Sequence, residues 1–328
     1  MKAAILGYGF VGSGAYEITR DFPTGIEVKR VLTRTPRPEL PFVTQDFDDI
    51  LNDPEIEIVA EAMGGLHPAY EYVTAAMKAG KHVFCEKPLA DTVEKCKEAE
   101  AIVAAHPELT FMLGFMRRYD HSYAVAKKKI DNGDIGDIIL VRCYSQDPIA
   151  IIEGTLEYAP RSGGQFIDMS IHDIDLIRWL TDSEPRNLWA IGGCYEFKQY
   201  KDWDDGDNVG CLMQCENDAM AFFYAGRAAA HGSHVETEIV GTRGTLRIAG
   251  IPCDSMVEVM SQHGVCRECY QDFVTRWHDA YIKEMEVFCD CVENKKQATP
   301  GVIDGTMSTK IAFRCKESFL TGKMLPLE

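Results

Sequence analysis

Asp168, His172 and Asp175 stand at i, i+4 and i+7, so a single helix through them would carry a carboxylate, an imidazole and a second carboxylate along one face. That order of groups suits a proton relay. An imidazole, with an ordinary pKa of about 6.5, takes up and returns a proton near neutral pH. A carboxylate one turn away orients the ring and stabilises its protonated form. Ile171, Ile174, Leu176, Ile177, Trp179 and Leu180 occupy the other side of the stretch, which turns the polar stripe toward solvent or a cleft. The plainer alternative is a helix start with a solvated acidic face, since Asp favours helix N-termini. Gly163 and Gly164 precede the stretch and let backbone approach a ligand closely. The third group is Lys87, set between Glu86 and Pro88 at the end of the apolar run 81–85. With His172 as base, Asp168 as its orienting partner and Lys87 as a fixed positive charge at the reacting oxygen, the set suits oxidation of a secondary alcohol. A hydride leaves the carbon while the hydroxyl proton goes to a base.

That chemistry needs a hydride carrier, and the N-terminal third reads as its binding fold. Residues 3–6 are a short apolar strand that runs into Gly7, Tyr8, Gly9, Phe10, Val11 and Gly12, and 13–19 has helical character. The three glycines meet the demands of a dinucleotide fingerprint. Gly7 makes a tight turn, Gly9 admits a pyrophosphate, and Gly12 lets the helix pack, with the helix N-terminus facing the phosphate charge. The next strand, 27–32, ends at Thr33 and Arg34, followed by Arg37, where an acidic residue would hold the ribose hydroxyls of NAD. A hydroxyl and a guanidinium suit a 2′-phosphate, so NADP(H) is expected over NAD(H), which stays open. A third strand, 56–61, leads into a turn containing Met63, Gly64 and His67 and then a helix over 70–79. The fourth strand is 81–85. By the rule that ligands lie beyond the carboxyl ends of parallel strands, the Met63 to His67 turn should line the cofactor crevice. His67, before Pro68, equally suits a plain helix start. In the second half, 209–214, 219–224, 236–240 and 244–248 read as strands. The expected fold is α/β, with a Rossmann domain over 1–120. A substrate and oligomerisation domain over 121–328 is built on a large, mostly antiparallel open sheet.

Several stretches together resemble the Gfo/Idh/MocA oxidoreductases. Gly80 to Leu89, reading GKHVFCEKPL, is similar to that family's GKHV…EKP signature, and Gly133-Asp134-Ile135-Gly136 to its turn into the second domain. Residues 162–175, SGGQFIDMSIHDID, resemble its catalytic segment. Residues 114–120, GFMRRYD, resemble its inositol 2-dehydrogenase branch. Residues 238–246 and the C-terminal stretch from Ala280 and Tyr281 to Asp304 and Gly305 fit as well. The resemblance implies the trio Lys87, Asp168 and His172, with Lys87 and Glu86 also at the cofactor. It implies a polyol pocket lined by Arg117, Asp147, His231, His234 and Tyr281. It also implies a homodimer or homotetramer formed through the C-terminal sheet. Two segments depart from the pattern. Met63-Gly64-Gly65 replaces a Thr-Pro turn and is closer to homoserine dehydrogenases, and His231-Gly232-Ser233-His234 lacks the usual aromatic residue. A dinucleotide-binding sugar sensor without catalysis is the competing reading. It need not have kept Lys87, Asp168 and His172 together.

Composition narrows the partners. The 328 residues carry 34 Lys and Arg against 51 Asp and Glu, a net charge of −17, which repels a phosphate backbone and leaves nucleic acid an unexpected partner. No run nears the roughly 18 apolar residues of a membrane span, and the N-terminus has no charged flank with a cleavage site. A cytoplasmic protein is therefore expected, its 12 Cys mostly buried thiols. Cys266 and Cys269 form a CxxC with Cys253, Cys289 and Cys291 elsewhere, but no second CxxC completes a zinc pattern, and no metal is expected.

Overall fold

The computed structural model describes residues 1–21, 25–37, 40, 42–66, 69–248, 253–255, 257–262 and 264–327. The chain divides into two compact units, Met1–Met116 with Tyr281–Lys310, and Arg117–Ala280 with Ile311–Glu328.

The first unit alternates strand and helix: β1 Lys2–Leu6, α1 Phe10–Asp21, β2 Glu27–Leu32, β3 Val43–Thr44, α2 Asp48–Leu51, β4 Ile58–Glu61, α3 Ala69–Lys78, β5 His82–Glu86, α4 Val93–Ala105 and β6 Phe111–Gly114. The six strands form one sheet in the order β3-β2-β1-β4-β5-β6, and each neighbouring pair is parallel. Residues of β1, β4 and β6 are buried almost throughout, as strands covered on both faces must be. The order reverses beside β1, so the carboxyl ends of β1 and β4 flank the crevice where this architecture takes its ligand.

The second unit opens with α5 His121–Asp131, then β7 Ile138–Pro148, α6 Ile152–Tyr158, α7 Gln165–Asp168, α8 Ile171–Thr181, β8 Pro185–Gly193, β9 Asn208–Cys215, β10 Met220–Ala229, β11 His234–Gly241, β12 Thr245–Ile248, β13 Val259–Ser261 and β14 Gly264–Cys266. The chain then continues through α9 Phe273–Glu293, α10 Val302–Thr321 and β15 Leu325–Pro326. A seven-stranded sheet runs β12-β11-β7-β10-β9-β8-β15. Only the β7 and β10 pair is parallel, so the sheet is mostly antiparallel, as expected. Along β8 and β9 the burial alternates: Leu188, Ala190, Cys211 and Met213 face inward, while Trp189, Ile191 and Leu212 face out.

A single cut after residue 120 does not describe these units, because the chain returns to the first one. The later part of α9 and the first part of α10, within Tyr281–Lys310, belong there. Phe288 meets Phe84 edge-on at 5.8 Å, Leu113 N donates to Pro300 O at 3.0 Å, and Gln297 Nε2 donates to Pro107 O at 2.9 Å. Local helical periodicity marks α9 as a helix but not where its apolar side packs.

Candidate active site

The glycine-rich turn after β1 is fixed by sterics at two positions and open at the third. Gly7 has φ +96°, and a Cβ there would lie 2.8 Å from Ala62 O and 2.9 Å from Met63 Cα. A Cβ on Gly12 would collide with the Gly7 carbonyl oxygen. Around Gly9 nothing lies within 4 Å of where a Cβ would stand. Gly7 and Gly12 are therefore required by the turn itself, whereas Gly9 keeps a space clear at the N-terminal end of α1, where backbone N–H groups attract an anion. The residues present fit a dinucleotide pyrophosphate.

At the end of β2, Thr33 is buried and its hydroxyl donates to Thr35 O at 2.7 Å. Arg34 is exposed, its carbonyl held by Gln45 Nε2 at 2.9 Å. Arg37 lies over the ring of Tyr8, 6.0 Å from its centroid. Residues 33–37 contain no carboxylate. His67 lies outside the described residues. Met63 and Gly64 form the turn after β4, with Gly64 at φ +69° and Gly65 at +87°.

That turn is anchored by a residue the sequence pattern did not single out. Glu61, at the carboxyl end of β4 and only 2% exposed, accepts a hydrogen bond from Met63 N at 2.8 Å. Cys85 Sγ, next door on β5, lies 3.8 Å from its other oxygen. Burial pushes the Glu61 carboxyl up to about 7, outweighing the Met63 N–H, and the neighbouring Glu86 adds to the rise. Glu86 ends β5. Burial likewise lifts it to about 7 against the pull of Lys87. Its carboxyl packs over Gly114, where a Cβ would stand 3.1 Å from it. Lys87 thus follows two adjacent strand-end carboxyl groups that hold protons close to neutral pH.

In the second unit, Asp168 and His172 do not share one helix. Asp168 closes α7 and His172 opens α8, with the chain turning at Met169 and Ser170 between them. The break lies where Ser170 N reaches back to Gln165 O at 2.9 Å and His172 N to Met169 O at 3.3 Å, and the start of α7 is held by Asp205. Its two carboxylate oxygens accept from Gln165 N at 3.1 and 3.0 Å and cap α7, and they lie beside Gly164, which has φ +101°. Gly163 O accepts from Lys316 Nζ at 3.0 Å. The two glycines therefore serve the turn and its cap. Asp175 leaves the expected polar stripe altogether: it is buried in a bidentate pair with Arg118, at 2.8 and 2.5 Å.

Asp168 is instead held by Arg227 of β10. The guanidinium is 4% exposed and bridges two carboxylates, Nη2 donating to Asp168 Oδ2 at 2.7 Å and Nη1 to Asp147 Oδ2 at 3.0 Å. Burial alone would lower the Arg227 pKa, but the facing carboxylates of Asp168 and Asp147 outweigh it and hold the guanidinium charged. Burial raises the Asp147 carboxyl despite that partner. His172 is 8% exposed at the first turn of α8. Arg227 escaped notice in the sequence, although a lone Arg inside the apolar run FFYAGRAAA was a signal, because a buried charge must find partners.

The other polyol-pocket candidates fall into two groups. Arg117 is 4% exposed, and its Nη1 donates to Asp173 Oδ1 at 2.7 Å and Ser145 Oγ at 3.0 Å. Asp147 is likewise committed, to Arg227. His231 and His234 face each other at 3.2 Å across a turn before β11, and His234 packs on Tyr144, 5.1 Å between ring centroids. Burial pushes the His234 imidazole pKa down, outweighing Glu236 at 3.6 Å. Tyr281 lies in α9, in the part that belongs to the first unit. Among the described residues, no cluster of three or more His, Cys, Asp or Glu side chains is arranged to hold a metal, and no helix is long and apolar enough to cross a membrane.

Comparison with known proteins covers both units. Residues 1–115 match the model for the oxidoreductase family with an NAD-binding Rossmann fold, GFO_IDH_MocA. Residues 123–247 match the GFO/IDH/MocA C-terminal domain. A scyllo-inositol 2-dehydrogenase (NAD(+)) of Bacillus subtilis is 30% identical over 87% of this chain and 82% of its own. An inositol 2-dehydrogenase of Rhizobium meliloti is 32% identical over 72% and 70%. Among solved structures, scyllo-inositol dehydrogenase from Lactobacillus casei with bound NAD(H) and scyllo-inositol superposes with a TM-score of 0.94 at 37% identity, covering 100% of this chain and 99% of that one. Myo-inositol 2-dehydrogenase from Lactobacillus plantarum gives a TM-score of 0.93 at 33% identity, with coverage of 100% and 99%.

Proposed function

The chain belongs to the GFO/IDH/MocA oxidoreductase family, and on that premise we propose that it oxidises a secondary alcohol of an inositol-like cyclitol or related polyol, or reduces the matching ketone. The observation that carries this reading is Asp168, fixed by buried Arg227 four residues before the buried imidazole of His172. When bound, the dinucleotide supplies the nicotinamide carbon that exchanges a hydride with the polyol carbon. His172 takes the hydroxyl proton as that carbon is oxidised, and Asp168 holds the ring and steadies its cationic form. Lys87 stabilises negative charge on the reacting oxygen. The names of the relatives as inositol dehydrogenases support this reading over a sensor that has lost catalysis.

Gly7, Tyr8, Gly9, Phe10, Val11, Gly12, Met63, Gly64 and Glu86 are assigned to the cofactor, as is His67. Arg34, exposed beyond β2 with no carboxylate beside it in 33–37, favours NADP(H) over NAD(H). His231, His234 and Tyr281 are assigned to the polyol. For Arg117 and Asp147 the supported part is to keep Asp173 and Arg227 in place. A homodimer or homotetramer through the C-terminal sheet is supported by its outward Trp189, Ile191 and Leu212. The twelve cysteines, all of them thiols, suit the cytoplasm.

The test follows NAD(P)H absorbance with a panel of inositols and aldoses. One or more cyclitols should turn over, and His172→Ala and Lys87→Ala should each lower kcat by about 10²- to 10⁴-fold. Full activity in both variants would refute the mechanism. Arg34→Ala should weaken NADPH far more than NADH, and equal losses would refute the cofactor preference.

A further inference from the structure

We propose that Cys253 and Cys269 are a redox pair that closes to a reversible disulfide and so fixes the strand segment bracing the His231 to His234 turn. The two thiols face each other across an isolated antiparallel bridge. Asp254 N donates to Glu268 O at 2.9 Å, which makes residues 254 and 268 the hydrogen-bonded pair and leaves Cys253 opposite Cys269 at a non-hydrogen-bonded position. At such positions opposing Cα atoms lie about 4.5 Å apart and the side chains approach most closely. A disulfide asks for roughly 4.4 to 6.8 Å between Cα atoms, so no backbone rearrangement is needed. Cys266, the other half of the CxxC, faces Val259 across the β13–β14 ribbon instead.

Both sulfurs are partly exposed, unlike the buried thiols of the core. The Arg267 guanidinium, paired with Glu258 at 3.1 Å, also reaches the Cys253 sulfur. In this proposal Cys253, with the guanidinium beside it, is the attacking thiol. Burial and the neighbouring Cys253 push the Cys269 thiol up, in keeping with the resolving role. With a hydroperoxide as oxidant, the Cys253 sulfur attacks the terminal oxygen and the O–O bond breaks. An alcohol or water leaves, and a sulfenic acid remains. The Cys269 sulfur then displaces its hydroxyl, the S–S bond forms, and water carries off the proton. Two thiols and one hydroperoxide become one disulfide, one alcohol and one water.

The pair is tied mechanically to the histidine turn. Ser233 N donates to Tyr270 O at 2.7 Å. Gly232, at φ +115°, packs so tightly on this segment that a Cβ would stand 2.6 Å from Tyr270 O and 2.9 Å from Cys269 Cβ. Fixing Cys269 fixes the wall against which the turn rests. The effect on catalysis rests on the reading that this turn faces the polyol, whereas the disulfide does not.

The experiment treats the reduced full-length protein with hydrogen peroxide, blocks remaining thiols by alkylation and maps peptides without reduction. Wild type should yield a Cys253–Cys269 cross-link with the loss of two hydrogen masses, reversed by a dithiol and absent in Cys253→Ser and Cys269→Ser but kept in Cys266→Ser. Separate alkylated peptides, or a bond to Cys266, would overturn the proposal. In the second arm, KM for the polyol should change by about tenfold on oxidation, the scale of a modest coupling between sites, and return on reduction, with Cys253→Ser unresponsive. A disulfide with unchanged KM would overturn the link to the turn. Absence of polyol turnover in the reduced enzyme would count against the substrate reading alone, since the peptide map decides the disulfide by itself.

Discussion

At the scale of residues, charge placement decides which side chains work and which only support. The second unit buries three arginine systems: Arg117 with Asp173 and Ser145, Arg118 with Asp175, and Arg227 with Asp147 and Asp168. A buried carboxylate that loses its partner keeps the cost of desolvation without the compensating attraction. Arg227→Ala strands two partly buried carboxylates, so it should lower the unfolding free energy by about 2–4 kcal/mol in a urea titration. A loss below about 1 kcal/mol, the size of an exposed ion pair, would show that the bridge does not hold Asp168. The residues proposed to do chemistry, His172, Asp168 and Lys87, stand out in the sequence only when type and spacing are taken together with the dinucleotide fold, since each lies at a strand or helix end. Their supports do not. Arg227 lies 59 residues from Asp168, and no local pattern pairs residues so far apart. Asp175, by contrast, looked like part of the relay by spacing alone and is taken by Arg118.

At the scale of elements, the βα units of the first half were readable because β1 and β4 are short apolar runs leading into glycine-containing turns and β5 stops at Lys87-Pro88. β2 falls on Glu27–Leu32 as expected, and α3 and β5 lie within one residue of expectation at either end. A single helix through 168–175 is what the sequence leads one to expect, because the 3.6-residue periodicity continues across the break. The interruption lies at Met169 and Ser170, where Ser170 N bonds back to Gln165 O at 2.9 Å, and the cap on the start of α7 comes from Asp205, which no local pattern links to Gln165. The turn after β4 depends on Glu61, only two residues from Met63 N, and its burial gives a pH signature. With a folded-state pKa of about 7 against an ordinary 4.5, Glu61 keeps its proton in the fold while the unfolded chain has released it. Below about pH 4.5 both states are protonated and nothing is lost. From there to about pH 7 stability falls as pH rises, by about 3 kcal/mol for this group, and it levels off above. Glu61→Gln keeps an oxygen for Met63 N but cannot ionise. Its stability should fall less than that of wild type between about pH 5 and pH 8 in urea titrations. Parallel curves for the two proteins would show that Glu61 ionises freely in the fold.

At the scale of the whole molecule, the net charge of −17 sets solubility and excludes little beyond polyanions. It does not oppose the proposed binding of a phosphate-bearing cofactor, where backbone N–H groups at the start of α1 and the local cation Arg34 would set the field. The outer face of the second sheet is less polar than that charge suggests. Trp189 stands opposite Leu212 across β8 and β9, and Leu212 opposite Phe222 across β9 and β10. Trp189 and Leu212 are 43% and 51% exposed in the single chain. Sedimentation should find wild type as a dimer or tetramer and Leu212→Glu dissociated, since a buried charge without a partner disfavours association; a monomeric wild type would contradict the proposed interface. The central claim is that a polyol carbon gives up its hydride while His172 takes the proton. Inositol deuterated on its ring carbons tests it most directly. Wild type should deliver deuterium to the reduced nicotinamide, and His172→Ala should do so about 10²- to 10⁴-fold more slowly. Failure of every cyclitol to transfer label, or transfer by His172→Ala at the wild-type rate, would contradict it.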